Sequence, residues 1–190
     1  MIVKSFNLKK ELKDNVNFYL LYGPNIGFIE ETIDNILKPN LSKNVYNYEE
    51  NEILSDIDEF KEGILSKSFF EKDKLIIINR ASDKILNVIE DIIDKNIEDL
   101  KIIIKSGILE KKSKLRNMFE KDKKIVCIPF YADNNMTLGK IVSIFFREKN
   151  IPISQQNTNL IIERCRGDRQ NLSNELKKVG NPLSKANKYP

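Results

Sequence analysis

Five short apolar runs punctuate the first 128 residues: FYLLY at 18–22, NVYNY at 44–48, KLIII at 74–78, LKIII at 100–104 and IVCI at 125–128. Four of them lack the polar alternation of a strand with one wet face, as expected of strands covered on both sides in a parallel sheet. Segments of helical period separate them. Ile53, Ile57, Phe60 and Ile64 form one apolar stripe, Ile85, Ile89 and Ile92 a second, and Leu115, Met118 and Phe119 a third, with Ser113 in N-cap position before the last. Strands alternating with helices predict a three-layer α/β domain built on a five-stranded, mainly parallel sheet.

The pattern changes after YADNNM at 131–136. Leu138, Ile141, Val142, Phe145 and Phe146 follow the i, i+3, i+4, i+7, i+8 rule, with Thr137 as the expected N-cap. Ser154 caps a second helix that runs through Cys165, and Gly167-Asp168 breaks it. Leu172, Leu176 and Val179 mark a third helix near 170–179. The expected organisation is an α/β domain over 1–134, a three-helix domain over 135–180 and an unstructured tail over 181–190.

Composition narrows the chemistry. With no histidine, Ser-His and Cys-His catalysis is excluded, and two distant cysteines argue against a zinc site. Cys127 lies in an apolar run and Cys165 on a helical face, so both read as small core residues of a protein in a reducing cytoplasm. The N-terminus lacks a signal-peptide pattern, no apolar stretch has membrane-spanning length, and no membrane partner is expected. Charge is uneven: residues 26–62 hold ten acids against three bases, and 101–124 hold nine bases against three acids. The second segment offers either a solvated lysine surface or a contact for nucleic acid. Within it Lys111, Lys112, Lys114 and Arg116 surround a helix start, where cations are out of place unless an anion is near.

The stretch LLYGPNIGFIEET at 20–32 opens like a phosphate-binding loop, with Gly23, Pro24 and Gly27 between a strand and a helix. In G-x-x-x-x-G-K-[ST] the backbone amides cradle phosphate, the lysine reaches the β/γ-phosphates and the hydroxyl binds magnesium. Here the last three positions hold Phe28, Ile29 and Glu30. Asn79-Arg80 stands where a hydrolytic protein carries its acidic pair after LIII. The loop is degenerate; no nucleotide, metal or other cofactor is expected.

A degenerate phosphate loop on an α/β domain followed by a three-helix lid resembles the AAA+ (RecA-like) clamp-loader subunits. Among these the chain is similar to the delta-subunit family of the bacterial DNA polymerase III clamp loader. The resemblance runs through YLLYGPNIGFIEE at 19–31, SFFEKDKLIIINRA at 68–81, LEKKSKLRNMFEK at 109–121, IPFYADN at 128–134 and GDRQNLSNELKKV at 167–179. It implies a subunit of a nucleotidyltransferase holoenzyme that neither binds nor hydrolyses ATP and has no catalytic residue of its own. Its task would be to open the β sliding clamp for loading on primed DNA. Expected partners are that clamp, the gamma/tau and delta prime subunits of the loader, and primer–template DNA. The family's clamp-binding pair of large apolar residues matches Phe69 and Phe70, with Ser68 beside them. By the residues alone, that pair either packs on its own domain or enters a partner's pocket. Arg169 falls where active relatives place a nucleotide-sensing arginine, and reads here as structural or as a subunit contact. The family's C-terminal collar domain has no counterpart before residue 190. Two other classes stay open at this stage: a divergent P-loop nucleotide-binding enzyme, and a DNA-binding module acting through 101–124.

Overall fold

The computed structural model describes residues 1–11, 16–42, 44–65, 73–97 and 99–180; the tail expected over 181–190 lies outside them. By its internal contacts the chain forms two compact units. One comprises Met1–Pro24 with Ile29–Phe130, and the other Asn25–Phe28 with the chain from Tyr131 onward.

In the first unit a short turn, α1 (Leu8–Glu11), precedes β1 (Phe18–Tyr22). Then follow α2 (Ile26–Thr32), which belongs to this unit from Ile29 on, a π-helical turn over Ile33–Leu37, α3 (Lys38–Leu41) and β2 (Val45–Glu49). Helices α4 (Glu50–Ser55) and α5 (Ile57–Leu65) lead to β3 (Lys74–Asn79), and α6 (Leu86–Asp94) leads to β4 (Leu100–Ser106). The unit closes with α7 (Lys114–Lys121) and β5 (Val126–Pro129). All five strands pair in parallel in the order β2-β3-β4-β1-β5.

The unbroken apolar runs make sense in this order. Strands β1, β3 and β4 are interior, and Leu20, Leu21, Ile76, Ile77, Ile102 and Ile103 are all buried although neighbours point to opposite faces. On one face Phe18, Leu20, Ile76, Ile78, Ile102 and Ile104 share a core with Ile53, Phe60, Val88, Ile89, Ile92, Leu115 and Phe119. Each such side chain contributes about 1.5–3 kcal/mol by leaving water. NVYNY, the run that does alternate, is the edge strand β2, whose Tyr46 and Asn47 are exposed. The opposite edge is covered by the N-terminus, to which the sequence reading gave no role: Ile2 bridges Cys127, and Val3 N–H donates to the Cys127 carbonyl at 2.9 Å.

The stripe from Ile53 to Ile64 belongs to two helices rather than one. Asp56 leaves the helical conformation and accepts the Glu59 N–H on its carboxylate at 2.9 Å, starting α5 afresh.

The second unit contains α8 (Asn135–Glu148), α9 (Gln155–Cys165) and α10 (Arg169–Gly180). Leu138, Val142, Phe146, Ile162, Cys165, Leu172 and Leu176 form its core. Ser154 caps α9 as expected, accepting from Asn157 N–H at 3.1 Å. Thr137 does not cap α8. Asn134 does, and Thr137 is its reciprocal partner three residues on, each side chain bonded to the other's backbone N–H. Val179 is exposed, because α10's apolar face is completed by Leu172 and Leu176. Arg166 adopts the left-handed conformation that ends α9, followed by Gly167 with φ of 74°.

Candidate functional site

The loop after β1 sits at the carboxyl end of a strand flanked by β4 and β5, where open parallel sheets bind their ligands. Gly23 makes the turn at φ 140°, and its N–H donates to the Gly107 carbonyl at 3.0 Å. A Cβ there would stand 2.0 Å from the Phe130 carbonyl oxygen, so no other residue fits. The glycine at the turn is therefore fixed by the packing, and Pro24 leads out of it into Asn25.

What fills the loop differs. Asn25 is buried and accepts the Phe28 N–H on its side-chain oxygen at 3.1 Å, occupying a first-turn donor that a phosphate would otherwise claim. Its amide nitrogen donates to the Tyr131 carbonyl at 3.0 Å and to Asp133 Oδ2 at 2.9 Å. Gly27 brings its backbone close to the start of α10; a Cβ there would lie 2.8 Å from the Gln170 nitrogen. Ile29, at the lysine position, has no exposed surface. Glu30, at the magnesium-ligand position, pairs instead with Lys105 of β4. Both positions serve the fold.

Arg169 opens α10. Its Nη1 lies 3.1 Å from Asp133 Oδ1 and 3.2 Å from Oδ2, with side chains 12% and 7% exposed. Its guanidinium also lies 3.8 Å from the centre of the Phe28 ring. Asn25, Phe28, Asp133 and Arg169 thus form one part-buried cluster within the second unit, and the arginine's charge is neutralised by the chain itself. The sequence analysis passed over both Asn25, whose place directly before a helix is a cap signal, and Asp133, whose partner lies 36 residues away.

The start of α7 already has an anion from the chain itself, the exposed Asp83. The Asp83 carboxylate accepts from Ser113 Oγ at 2.6 Å and from the N–H groups of Lys114 and Leu115, both at 3.0 Å. The Ser113 hydroxyl chiefly, then those amides and the Lys114 charge, hold its carboxyl below the usual range. Ser113 meanwhile caps the helix through the Arg116 N–H at 3.2 Å.

Arg116 is committed to the core edge. Its Nε donates to Glu120 Oε1 at 2.7 Å, its Nη1 donates to the Leu109 carbonyl at 3.0 Å, and its guanidinium lies 5.1 Å from the Tyr22 ring centre. The Glu120 carboxylate raises its pKa further. Burial pushes the neighbouring Tyr22 phenol up, and that phenol donates to the same carboxylate at 3.3 Å. Lys112 pairs with Glu110 at 2.9 Å in solvent, whereas Lys111 and Lys114 are exposed.

At the end of β3, Asn79 donates to the Tyr48 carbonyl at 3.3 Å, and exposed Arg80 lies 3.5 Å from Glu49. Neighbouring Glu50 is buried, its carboxylate accepting from Ser82 N–H at 2.6 Å and Ser82 Oγ at 3.0 Å. Among the described residues no group of three or more His, Cys, Asp or Glu side chains is placed to hold a metal, and no helix is long and apolar enough to cross a membrane. Burial raises the Cys127 thiol to about 12, so it is inert as a nucleophile. Ser68, Phe69 and Phe70 lie outside the described residues, between α5 and β3.

The sequence profile described as "DNA polymerase III, delta subunit" matches residues 19–129, more than half of the chain. No curated protein sequence matches significantly. Among solved structures, the Bacillus subtilis DNA clamp loader delta protein superposes with a TM-score of 0.59 at 14% identity, over 92% of this chain and 55% of that one. A point variant of Thermotoga maritima RuvB gives 0.58 at 17% identity, over 96% of this chain and 60% of its own. Domain III of the T. maritima replication initiation protein DnaA gives 0.51 at 14%, over 98% and 84%. At such identities the structural matches establish the fold, and this chain spans little more than half the length of the B. subtilis protein. The fold, together with the profile that covers the strand–loop–helix and all five strands, makes the chain a member of the DNA polymerase III delta-subunit family.

Proposed function

We propose that this chain is the clamp-opening element of a bacterial replicative clamp loader, working by protein–protein contact without nucleotide of its own. The observation that carries the reading is the converted phosphate loop. Its lysine position is core, its first-turn amide is capped by Asn25, and the arginine on α10 is bound to Asp133 and Phe28. A subunit so built has its family's replication role but no hydrolytic machinery. That counts against a divergent P-loop enzyme, and polymerase transfer chemistry would belong to other subunits in the cytoplasmic holoenzyme.

The contact would be made by Phe69 and Phe70, aided by Ser68. Two rings buried in a pocket of the β sliding clamp contribute about 1.5–3 kcal/mol each. Opening then follows from differential binding: a subunit that holds the ring better when open shifts the population toward open rings. The gamma/tau and delta prime subunits would supply ATP-driven steps. Primer–template DNA would meet Lys111, Lys112 and Lys114, Arg116 being held by Glu120.

The test is surface plasmon resonance of the chain against its cognate clamp, beside the Phe69→Ala/Phe70→Ala double variant. Micromolar or tighter binding, weakened at least tenfold in the variant (about 1.4 kcal/mol), is expected. Absence of binding by the folded native chain, or equal binding by the variant, overturns the proposal.

A further inference from the structure

The second unit carries a groove that neither the phosphate loop nor the aromatic pair accounts for. It runs between α8 and α9 with a volume of about 530 Å³. One wall is the face of α8 on which Met136, Lys140, Ile144 and Arg147 recur at helical spacing. Ile162 of α9, 6% exposed, contributes from the core side. Past Asn159 and Ile162 the surface continues to Glu163 and Arg166.

Two features set this groove apart from an ordinary wet helix hairpin. Met136 is 67% and Ile144 45% exposed, two of the larger apolar side chains that the unit leaves in water. Lys140 and Arg147 line the groove with them and Arg166 lies on its continuation past Ile162, and none of the three has an ion-pair partner among the described residues. Against them stands one acid, Glu163. The groove thus sets three apolar side chains, Met136, Ile144 and Ile162, among neutral polar ones such as Ser143, Gln155 and Asn159, and its charged lining is positive.

From this arrangement we infer that the α8–α9 groove docks an acidic amphipathic helix of a partner protein. Apolar residues of the partner would cover Met136 and Ile144, while flanking carboxylates meet Lys140, Arg147 and Arg166. Helix-in-groove recognition needs both elements, anchors at i, i+3, i+4 and i+7 and complementary charge at the rim. A nucleic-acid backbone would satisfy the cations but leave the two apolar side chains without partners. Met136 to Arg147 spans about 16 Å at about 1.5 Å per residue, which sets the docked segment at roughly eleven residues.

The test uses a fluorescein-labelled, helix-forming peptide of about that length, leucine on one face and glutamate on both flanks. Its anisotropy is followed on titration with the whole chain, beside a Glu→Lys counterpart of the peptide. Saturable binding of the acidic peptide only, weakened tenfold or more by Arg147→Glu and by Ile144→Ser, is expected. Both substitutions are at exposed positions, and thermal melts verify folding; Lys140→Glu and Met136→Ser replace either variant that melts early. Three results would overturn the inference. These are no saturable binding by the native chain, binding indifferent to all four substitutions, or tighter binding of a short DNA duplex that falls with Arg147→Glu and not with Ile144→Ser.

Discussion

Replacing Ile29 by lysine restores the residue that a phosphate loop requires, and the structure says that it breaks the fold instead. Ile29 has no exposed surface, so the substitution removes about 2–3 kcal/mol of apolar burial. The ammonium must then be discharged or desolvated. Neutralising a lysine at pH 7 costs about 1.36 kcal/mol for each unit below about 10.4, roughly 4.6 kcal/mol. The sum, near 7 kcal/mol, is an upper figure because the long stem can swing its charge toward solvent. It still rivals the about 5–15 kcal/mol that hold a whole domain.

The sign of the pH effect follows. A lysine whose folded pKa is depressed binds fewer protons folded than unfolded, so the variant gains stability as pH rises toward about 10.4. Urea unfolding followed by circular dichroism should show a large loss at pH 7 that narrows by pH 9–10. A fluorescent ATP analogue should not bind Ile29→Lys at any pH where it is folded. A variant as stable as the parent at pH 7, or one that binds the analogue at micromolar concentration, would refute the argument that this position has become core.

Two further predictions concern carboxylates that the fold has given partners. Asp133→Ala leaves the Arg169 guanidinium buried without its carboxylate and takes an acceptor from Asn25, an effect worth about 3–5 kcal/mol. Hydrogen exchange should accelerate together in 25–28 and in the first turn of α10, and a change confined to the neighbours of residue 133 would show that no cluster exists. Asp83→Ala should cost about 1–2 kcal/mol at pH 7 through loss of the bonds that start α7. Because the folded pKa of Asp83 lies below its unfolded value, that stability is present above about pH 4 and lost as pH falls through the folded value. Parent and variant should therefore converge in acid, and a gap unchanged from pH 7 to pH 3 would count against the bonds.

Short-range patterns in the sequence carried much of the architecture. Continuous apolar runs announced the interior strands because a parallel strand is buried on both faces, and NVYNY, which alternates, lies at the edge. Ser113 and Ser154 were readable as caps because an N-cap acts within three residues of itself. Thr137 was misassigned within that same window: Asn134 and Thr137 cap reciprocally, and the three-residue spacing alone does not say which is the cap. The break at Asp56 escaped because the apolar stripe continues across it on both helices.

By itself the sequence determined that the phosphate loop is degenerate, since chemistry that needs a lysine and a hydroxyl cannot be performed by Ile29 and Glu30. Only the tertiary structure decided what those residues do instead. Glu30 meets Lys105 across 75 positions, Asp83 starts a helix about 30 residues away, and Asp133 takes Arg169 from 36 positions further on. Opposite charges on a linear chain have many candidate partners, each worth little in water. The fold selects one partner and removes the water that would otherwise screen the pair.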